Sequence, residues 1–99
     1  MTTPVNRGSR NWRKLRAEYL NACRQAHEPC WLCGQPIDYT APSGTPDSFD
    51  VDHYHPVSTH PELYEDPANF RPSHSACNRS RGDTAPDDLL TIGAQSRDW

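Results

Sequence analysis

The sequence has no long apolar run, and only 33% of its 99 residues are hydrophobic. A transmembrane helix needs about 20 consecutive, mostly apolar residues, so we expect no association with a membrane. With few hydrophobic residues and ten prolines, the chain predicts one small domain that cannot bury a large core. Domains of this size generally need disulfide bonds or a bound metal ion for stability.

The segment from Met1 to Arg7 contains no apolar stretch, so we expect no signal peptide. We therefore expect an intracellular, cytoplasmic protein. In that compartment four cysteines indicate a metal site rather than two disulfides. A secreted, disulfide-bonded mini-protein is the alternative, and free-thiol and zinc quantification would distinguish the two.

The chain lacks a net positive charge as well, since its formal charge at pH 7 is −3. Nucleic-acid-binding proteins usually carry a basic surface, but the distribution of charge weakens this objection. No Lys or Arg occurs between Gln25 and Phe70, and basic residues flank this acidic middle. Two solvated faces of opposite sign would explain the pattern, yet a basic helix beside an acidic, metal-binding middle also suits a phosphodiesterase.

The first quarter of the chain has the pattern of a helix. Apolar residues recur at i, i+3, i+4 and i+7 spacing between Asn11 and Ala26, which predicts an amphipathic helix that Pro29 ends. The polar residues before it predict a flexible segment. We accordingly expect a flexible N-terminus (1–10), one folded domain (11–83) and a C-terminal tail (84–99).

The second half has the pattern of a hairpin followed by a helix. Phe49 to Tyr54 is typical of a strand, and Asn69 to Pro72 predicts a second short strand after a long surface loop. His74 to Arg81 predicts a helix, with Ser73 as its N-cap and Gly82 as its C-terminal stop.

One set of residues has the chemistry of a structural zinc site. Cys30 and Cys33 lie in a C-x-x-C turn, residues 30–34, whose glycine lets two thiolates converge as in a zinc knuckle. His74 and Cys77 are three residues apart on the predicted helix and share a face. The resulting Cys3His set is a closed, tetrahedral set of ligands. Cys23 is the alternative to His74, but it lies on the apolar face of the first helix, where a cysteine is an ordinary small hydrophobe.

A second set has the chemistry of a catalytic metal site. Asp52 and Asn78 offer two oxygen ligands, which is how Mg²⁺ or a similar ion is bound when a substrate phosphate completes its coordination. His53 follows Asp52 and could accept a proton from a hydrolytic water. Each residue alone has a structural explanation, such as capping, ion pairing or a surface amide. Their position beside the zinc ligands predicts a nuclease.

At these residues the chain resembles the HNH endonuclease family, and the tail from Ser96 to Trp99 resembles that of its small phage-type members. If a phage encodes the protein, we expect it in the host cytoplasm. The resemblance extends from about Trp12 to Gly82. It implies an α+β fold, the ββα-metal or His-Me finger, with an N-terminal helix and a structural zinc site. It also implies His53 as the general base and Asp52 and Asn78 as ligands of the catalytic divalent ion.

Further roles follow only from this resemblance. Asn69 corresponds to the asparagine that ties the hairpin loop together and orients the base, although an ordinary turn residue would look the same. Arg79 and Arg81 correspond to basic positions that contact phosphates, and surface solvation is their alternative. Two positions depart from the family pattern: His74 stands where many members have a third cysteine, and His55 replaces an apolar residue. A loop residue, a phosphate contact and an extra metal ligand are all open for His55.

We therefore expect a zinc-stabilised HNH endonuclease that hydrolyses DNA with one divalent ion. By family analogy, the products are a 5′-phosphate and a 3′-hydroxyl, and the process is phage genome processing or packaging with a terminase as partner. The alternative is a zinc-ribbon-like module that binds nucleic acid without cutting it. Substitution of His53 would distinguish them, since only a nuclease would lose turnover.

Overall fold

The computed structural model describes residues 9–89, in which the elements follow in the order helix, strand, strand, helix. These elements are α1 (Arg10–Ala26), β1 (Phe49–His53), β2 (Phe70–His74) and α2 (Ser75–Arg81). Short 3-10 turns occupy Pro61–Leu63, Pro67–Asn69 and Pro86–Asp88. The predicted small α+β fold is confirmed.

Parts of the predicted N-terminal segment and tail lie outside the described residues, at 1–8 and 90–99. Within residues 9–89, no helix combines the length and the apolar character that crossing a bilayer requires.

Helix α1 begins and ends with recognisable caps. The side chain of Ser9 accepts a hydrogen bond from the backbone N–H of Trp12 at 3.0 Å, which satisfies one of the free donors of the first turn. The helix ends at Ala26, and His27 adopts the left-handed conformation with φ 54°. Pro29 therefore does not end the helix as predicted, because the chain has already turned two residues earlier.

Strands β1 and β2 form an antiparallel hairpin in which Phe49 pairs with His74 and His53 pairs with Phe70. The first strand is one residue shorter than predicted, and the second continues to His74. Because the sheet holds His74 in an extended conformation, α2 begins at Ser75. The N-cap position is consequently His74, and the prediction of Ser73 was wrong.

The core lies between α1, the C-x-x-C turn and one face of the hairpin. Its buried members are Cys23, Cys30, Ile37, Phe49, Val51 and Phe70. Trp12, Leu15, Tyr19 and Leu20 of α1 pack against this cluster at the spacing that the sequence predicted. The helix thus covers the inner face of the hairpin, while α2 follows directly from β2 and brings its side chains back to β1.

Candidate functional site

Four side chains from three parts of the fold converge beside the C-x-x-C turn. The sulfur atoms of Cys30, Cys33 and Cys77 and a ring nitrogen of His74 all lie within 4.8 Å of one another. Cys33 Sγ is 3.3 Å from His74 Nδ1, and Cys77 Sγ is 3.7 Å from the same nitrogen. Within residues 9–89 this is the single group of at least three such side chains that could hold a metal ion.

The histidine of this cluster is oriented for metal binding. His74 Nε2 donates to the carbonyl oxygen of Pro36 at 2.7 Å, and since a carbonyl can only accept, the proton belongs on Nε2. Nδ1 then presents its lone pair to the three sulfur atoms. A second hydrogen bond of this kind commonly fixes the tautomer of a metal-bound histidine.

Two thiols of the cluster, those of Cys77 and Cys30, are difficult to ionise without a cation. Burial, together with repulsion from Cys30 and Cys33, raises the pKa of the Cys77 thiol to about 12. Burial also raises the pKa of Cys30, which is only 1% exposed. A bound cation would favour the thiolate forms of these two residues, and metal binding would release their protons.

Cys23, the alternative ligand, lies elsewhere. Its side chain is buried in the core with Phe49 and Phe70, and it is not a member of the metal-binding group. All four cysteines are free thiols.

A cavity of about 460 Å³ opens between β1, α2 and α1. This cavity, which we call the cleft, is lined by Asp50, Asp52, His53, Asn78, Arg79, Trp12 and Arg16, among others. The structure therefore brings four predicted residues, Asp52, His53, Asn78 and Arg79, to one cavity. It also adds two side chains of α1, Trp12 and Arg16, that the sequence did not single out.

His53 is held at the end of β1 by a hydrogen bond and by packing against aromatic rings. Its Nε2 donates to the carbonyl oxygen of Tyr64 at 2.9 Å, which leaves Nδ1 as the basic nitrogen of the neutral ring. The indole of Trp12 stacks on the imidazole, with ring centroids 5.5 Å apart. The rings of Tyr64 and Phe70 also lie beside it, with centroids 5.7 Å and 5.4 Å away, so the imidazole is oriented by a polar contact and by aromatic packing.

Asp52 is almost fully buried, with 5% exposure, and its two oxygens have different surroundings. Oδ2 accepts hydrogen bonds from Trp31 Nε1 and from the guanidinium of Arg81, both at 2.9 Å. Oδ1 accepts one from the backbone N–H of His53 at 2.8 Å. A carboxylate oxygen can accept about two hydrogen bonds, so Oδ1 retains capacity for a further ligand.

Asp50 is a cleft residue that the sequence reasoning missed. Its Oδ2 accepts a hydrogen bond from Asn78 Nδ2 at 2.9 Å, so the amide nitrogen is engaged and the amide oxygen of Asn78 is the atom left to act as a ligand. Residues two apart in a strand share a face. The sequence spacing of Asp50 and Asp52 could therefore have identified it.

The two arginines of α2 have different surroundings. Arg79 is exposed and lines the cleft. Arg81 is 4% exposed, and its guanidinium donates to Asp52 and to the carbonyl oxygens of His53, Tyr54 and Thr84. The predicted phosphate contact of Arg81 is therefore wrong, because its donors are used inside the protein.

Asn69 spans the base of the loop between the strands. Its Nδ2 donates to the carbonyl oxygen of His55 at 3.1 Å, and its Oδ1 accepts from the backbone N–H of His55 at 2.9 Å. The side chain of His55 points to His60, with ring centroids 4.9 Å apart, and neither lines the cleft. Asn69 thus fixes the segment that follows His53.

Comparison with known proteins supports the assignment that this geometry suggests. The sequence model of the HNH endonuclease family matches residues 30–84, which is more than half of the chain. No curated protein and no solved structure matches the chain. Members of this family are generally endonucleases, so the match indicates a nuclease-type function on nucleic acid. From the match and the site together, the chain belongs to the HNH endonuclease family.

Proposed function

We propose that this protein is a metal-dependent endonuclease that hydrolyses phosphodiester bonds of DNA. The observation that carries the proposal is the cleft that Asp52, His53 and Asn78 line together. An open cavity with a basic nitrogen, carboxylate oxygens and an amide oxygen suits the binding and attack of a phosphodiester. Residues 11–83 would form the nuclease domain.

His53 is proposed as the general base. A water molecule beside Nδ1 would transfer a proton to the imidazole as its oxygen attacks the phosphorus atom, and the bond to the 3′ oxygen would break. The hydrogen bond from Nε2 to Tyr64 would stabilise the imidazolium that results. The products would be a 5′-phosphate and a 3′-hydroxyl, as the family resemblance implies.

Asp52 and Asn78 are proposed to hold a divalent ion such as Mg²⁺, which would stabilise negative charge on the phosphate and on the leaving oxygen. The donors fit this ion because carboxylate and amide oxygens are the ligands that Mg²⁺ prefers. Arg79 and Arg16, on α2 and α1, line the same cavity and suit contacts with the flanking phosphates.

The Cys3His cluster is proposed to hold a structural zinc ion. Three thiolates and one imidazole are a set that zinc binds tetrahedrally when no position is left open for substrate. The distances within the cluster and the orientation of His74 support this choice. A role in phage genome processing, a terminase partner and a cytoplasmic location stay predictions that rest on analogy and composition.

The test is nicking of supercoiled plasmid by zinc-loaded protein with Mg²⁺, with Mn²⁺ and with EDTA. We expect cleavage that requires the divalent ion and that falls by at least about 100-fold in His53→Ala, the usual effect of removing a general base. His60→Ala is the matched control, since it removes a histidine of the same region that does not line the cleft.

DNA binding in EDTA separates the alternatives. If wild type binds DNA but cuts none under any metal, the non-catalytic binding module is the better description. If His53→Ala cuts as well as wild type, the assignment of the base is wrong.

A further inference from the structure

The C-x-x-C turn is physically connected to the cleft through Trp31, which lies between the two cysteines. Its backbone N–H donates to the carbonyl oxygen of Pro72 in β2 at 2.9 Å. Its indole Nε1 donates to Asp52 Oδ2 at 2.9 Å. One residue therefore joins the metal cluster, the second strand and the carboxylate of the cleft.

The indole ring of Trp31 is also held by contacts with Arg81 and Tyr54. The guanidinium of Arg81 lies over its ring, 5.1 Å from the centroid, and the same guanidinium donates to Asp52 Oδ2. The ring of Tyr54 packs beside it at 5.6 Å. Trp31 and Arg81 thus fix Oδ2 between two donors, whereas Oδ1 retains free acceptor capacity.

We propose that Trp31 is a positioning residue, which transmits the order of the metal-bound C-x-x-C turn to Asp52 and keeps Oδ1 directed at the divalent ion of the cleft. The inference rests on the proposed function, since it assumes that Asp52 is a ligand of that ion. Its physical basis is that hydrogen bonds to a metal-binding carboxylate set its orientation and restrict its motion.

The test is Trp31→Phe, which keeps a six-membered aromatic ring and removes the N–H donor together with the pyrrole part of the indole. Mn²⁺ binding to the zinc-loaded protein is measured by calorimetry, and cleavage is measured over a range of Mn²⁺ concentrations. We expect Mn²⁺ to bind about 10-fold more weakly, the lower end of the usual effect of losing such a hydrogen bond. The zinc content should be unchanged, and cleavage should recover at saturating Mn²⁺.

Tyr39→Phe is the matched control. It also removes one donor from an aromatic side chain, the hydroxyl that bonds to the carbonyl oxygen of Glu28 at 2.6 Å, and it does not line the cleft. Its Mn²⁺ affinity should equal that of wild type. Equal affinities of Trp31→Phe and wild type would overturn the inference.

A measurement on the unaltered protein covers the case in which Trp31→Phe fails to fold. In the NMR spectrum of zinc-loaded wild type, the indole N–H resonance of Trp31 should shift as Mg²⁺ is added, because the ion withdraws charge from Asp52. An indole resonance that ignores Mg²⁺ would contradict the coupling. If Trp31→Phe binds Mn²⁺ more weakly than wild type, as expected, but wild type cuts no DNA, only the proposed function is contradicted. If wild type binds no Mn²⁺, the inference is overturned.

Discussion

Arg79 and Arg81 are two residues apart on α2 and differ in what they contribute to stability. The Arg81 guanidinium and the Asp52 carboxylate form an ion pair at 2.9 Å, with side-chain exposures of 2% and 6%. Arg81→Met keeps the volume of the side chain but leaves the carboxylate buried without its partner. We expect a loss of about 3–5 kcal/mol in the free energy of unfolding, measured by urea denaturation of the zinc-loaded protein.

Arg79→Met is the control for this experiment, because it removes an exposed arginine from the same helix. Its free energy of unfolding should remain within about 0.5 kcal/mol of the wild-type value. Equal destabilisation by the two substitutions would contradict the structural role of Arg81.

The zinc content of cysteine variants distinguishes the metal ligands from the cysteine of the core. Cys77→Ala removes a member of the cluster, so the purified protein should hold much less than one zinc ion per chain. Cys23→Ala removes a thiol that is buried in the core instead, and it should keep one zinc ion per chain while losing some stability. Elemental analysis of both variants decides the ligand set, and a loss of zinc from Cys23→Ala would contradict it.

The sequence predicted which side chains meet at each site better than it predicted the hydrogen bonds and ion pairs of those side chains. Residue type and spacing were enough to predict the cluster of Cys30, Cys33, His74 and Cys77, because few residue types bind metal ions. The burial of Arg81 was not predictable, since it depends on the carbonyl oxygens of His53 and Tyr54, at and just after the end of β1, which only the folded structure brings within reach. Asp50 could have been placed on the same face of β1 as Asp52 from its spacing, but its hydrogen bond to Asn78 depends on the position of α2, which the spacing does not give.

At the level of the elements, α1 ends in a conformation that its residue does not favour. His27 has φ 54°, and the left-handed region costs a non-glycine residue about 1–2 kcal/mol. His27→Gly removes that cost and adds unfolded-state entropy, so we expect a net gain of about 0.5 kcal/mol. A rise in the urea midpoint checks this expectation.

His27→Ala serves as the comparison, because alanine keeps the Cβ that the left-handed conformation disfavours. It should give no gain in the urea midpoint. If both variants have the same urea midpoint, backbone strain at residue 27 does not reduce the stability of the protein.

The end of α1 and the start of α2 show that the spacing of apolar residues predicts the body of a helix but does not determine its boundaries. The apolar spacing of α1 predicted its body correctly, because the stripe packs on one surface. Its predicted end at Ala26 was also correct, but the cause is the left-handed conformation of His27 rather than Pro29. The start of α2 was misplaced: His74 pairs with Phe49 in the sheet, a long-range contact that local patterns do not contain.

For the whole molecule, stability should fall at alkaline pH. Burial raises the pKa of Tyr39 to about 12 and also raises the pKa of Tyr19. Unfolded tyrosines ionise near about pH 10, so above that pH the unfolded chain releases protons that the folded chain retains. The free energy of unfolding therefore decreases as the pH rises from about 10 towards 12.

Urea midpoints at pH 9 and pH 11 measure this decrease, with zinc content followed in parallel. Tyr39→Phe should flatten the dependence, because phenylalanine has no proton to lose. A midpoint that rises between these two pH values would contradict the assignment.

The position of the four cluster residues also has a consequence in terms of chain topology. One ion held at both ends of residues 34–73 would close that segment, with both strands and their connecting loop, into a ring. The entropy of closing a ring grows only with the logarithm of its length, so doubling the ring costs about 0.6 kcal/mol. The loop is exposed at Ser58 and Thr59. Insertions there would enlarge the molecule beside its cleft at little cost in stability, which gives this small domain a place to acquire new recognition segments.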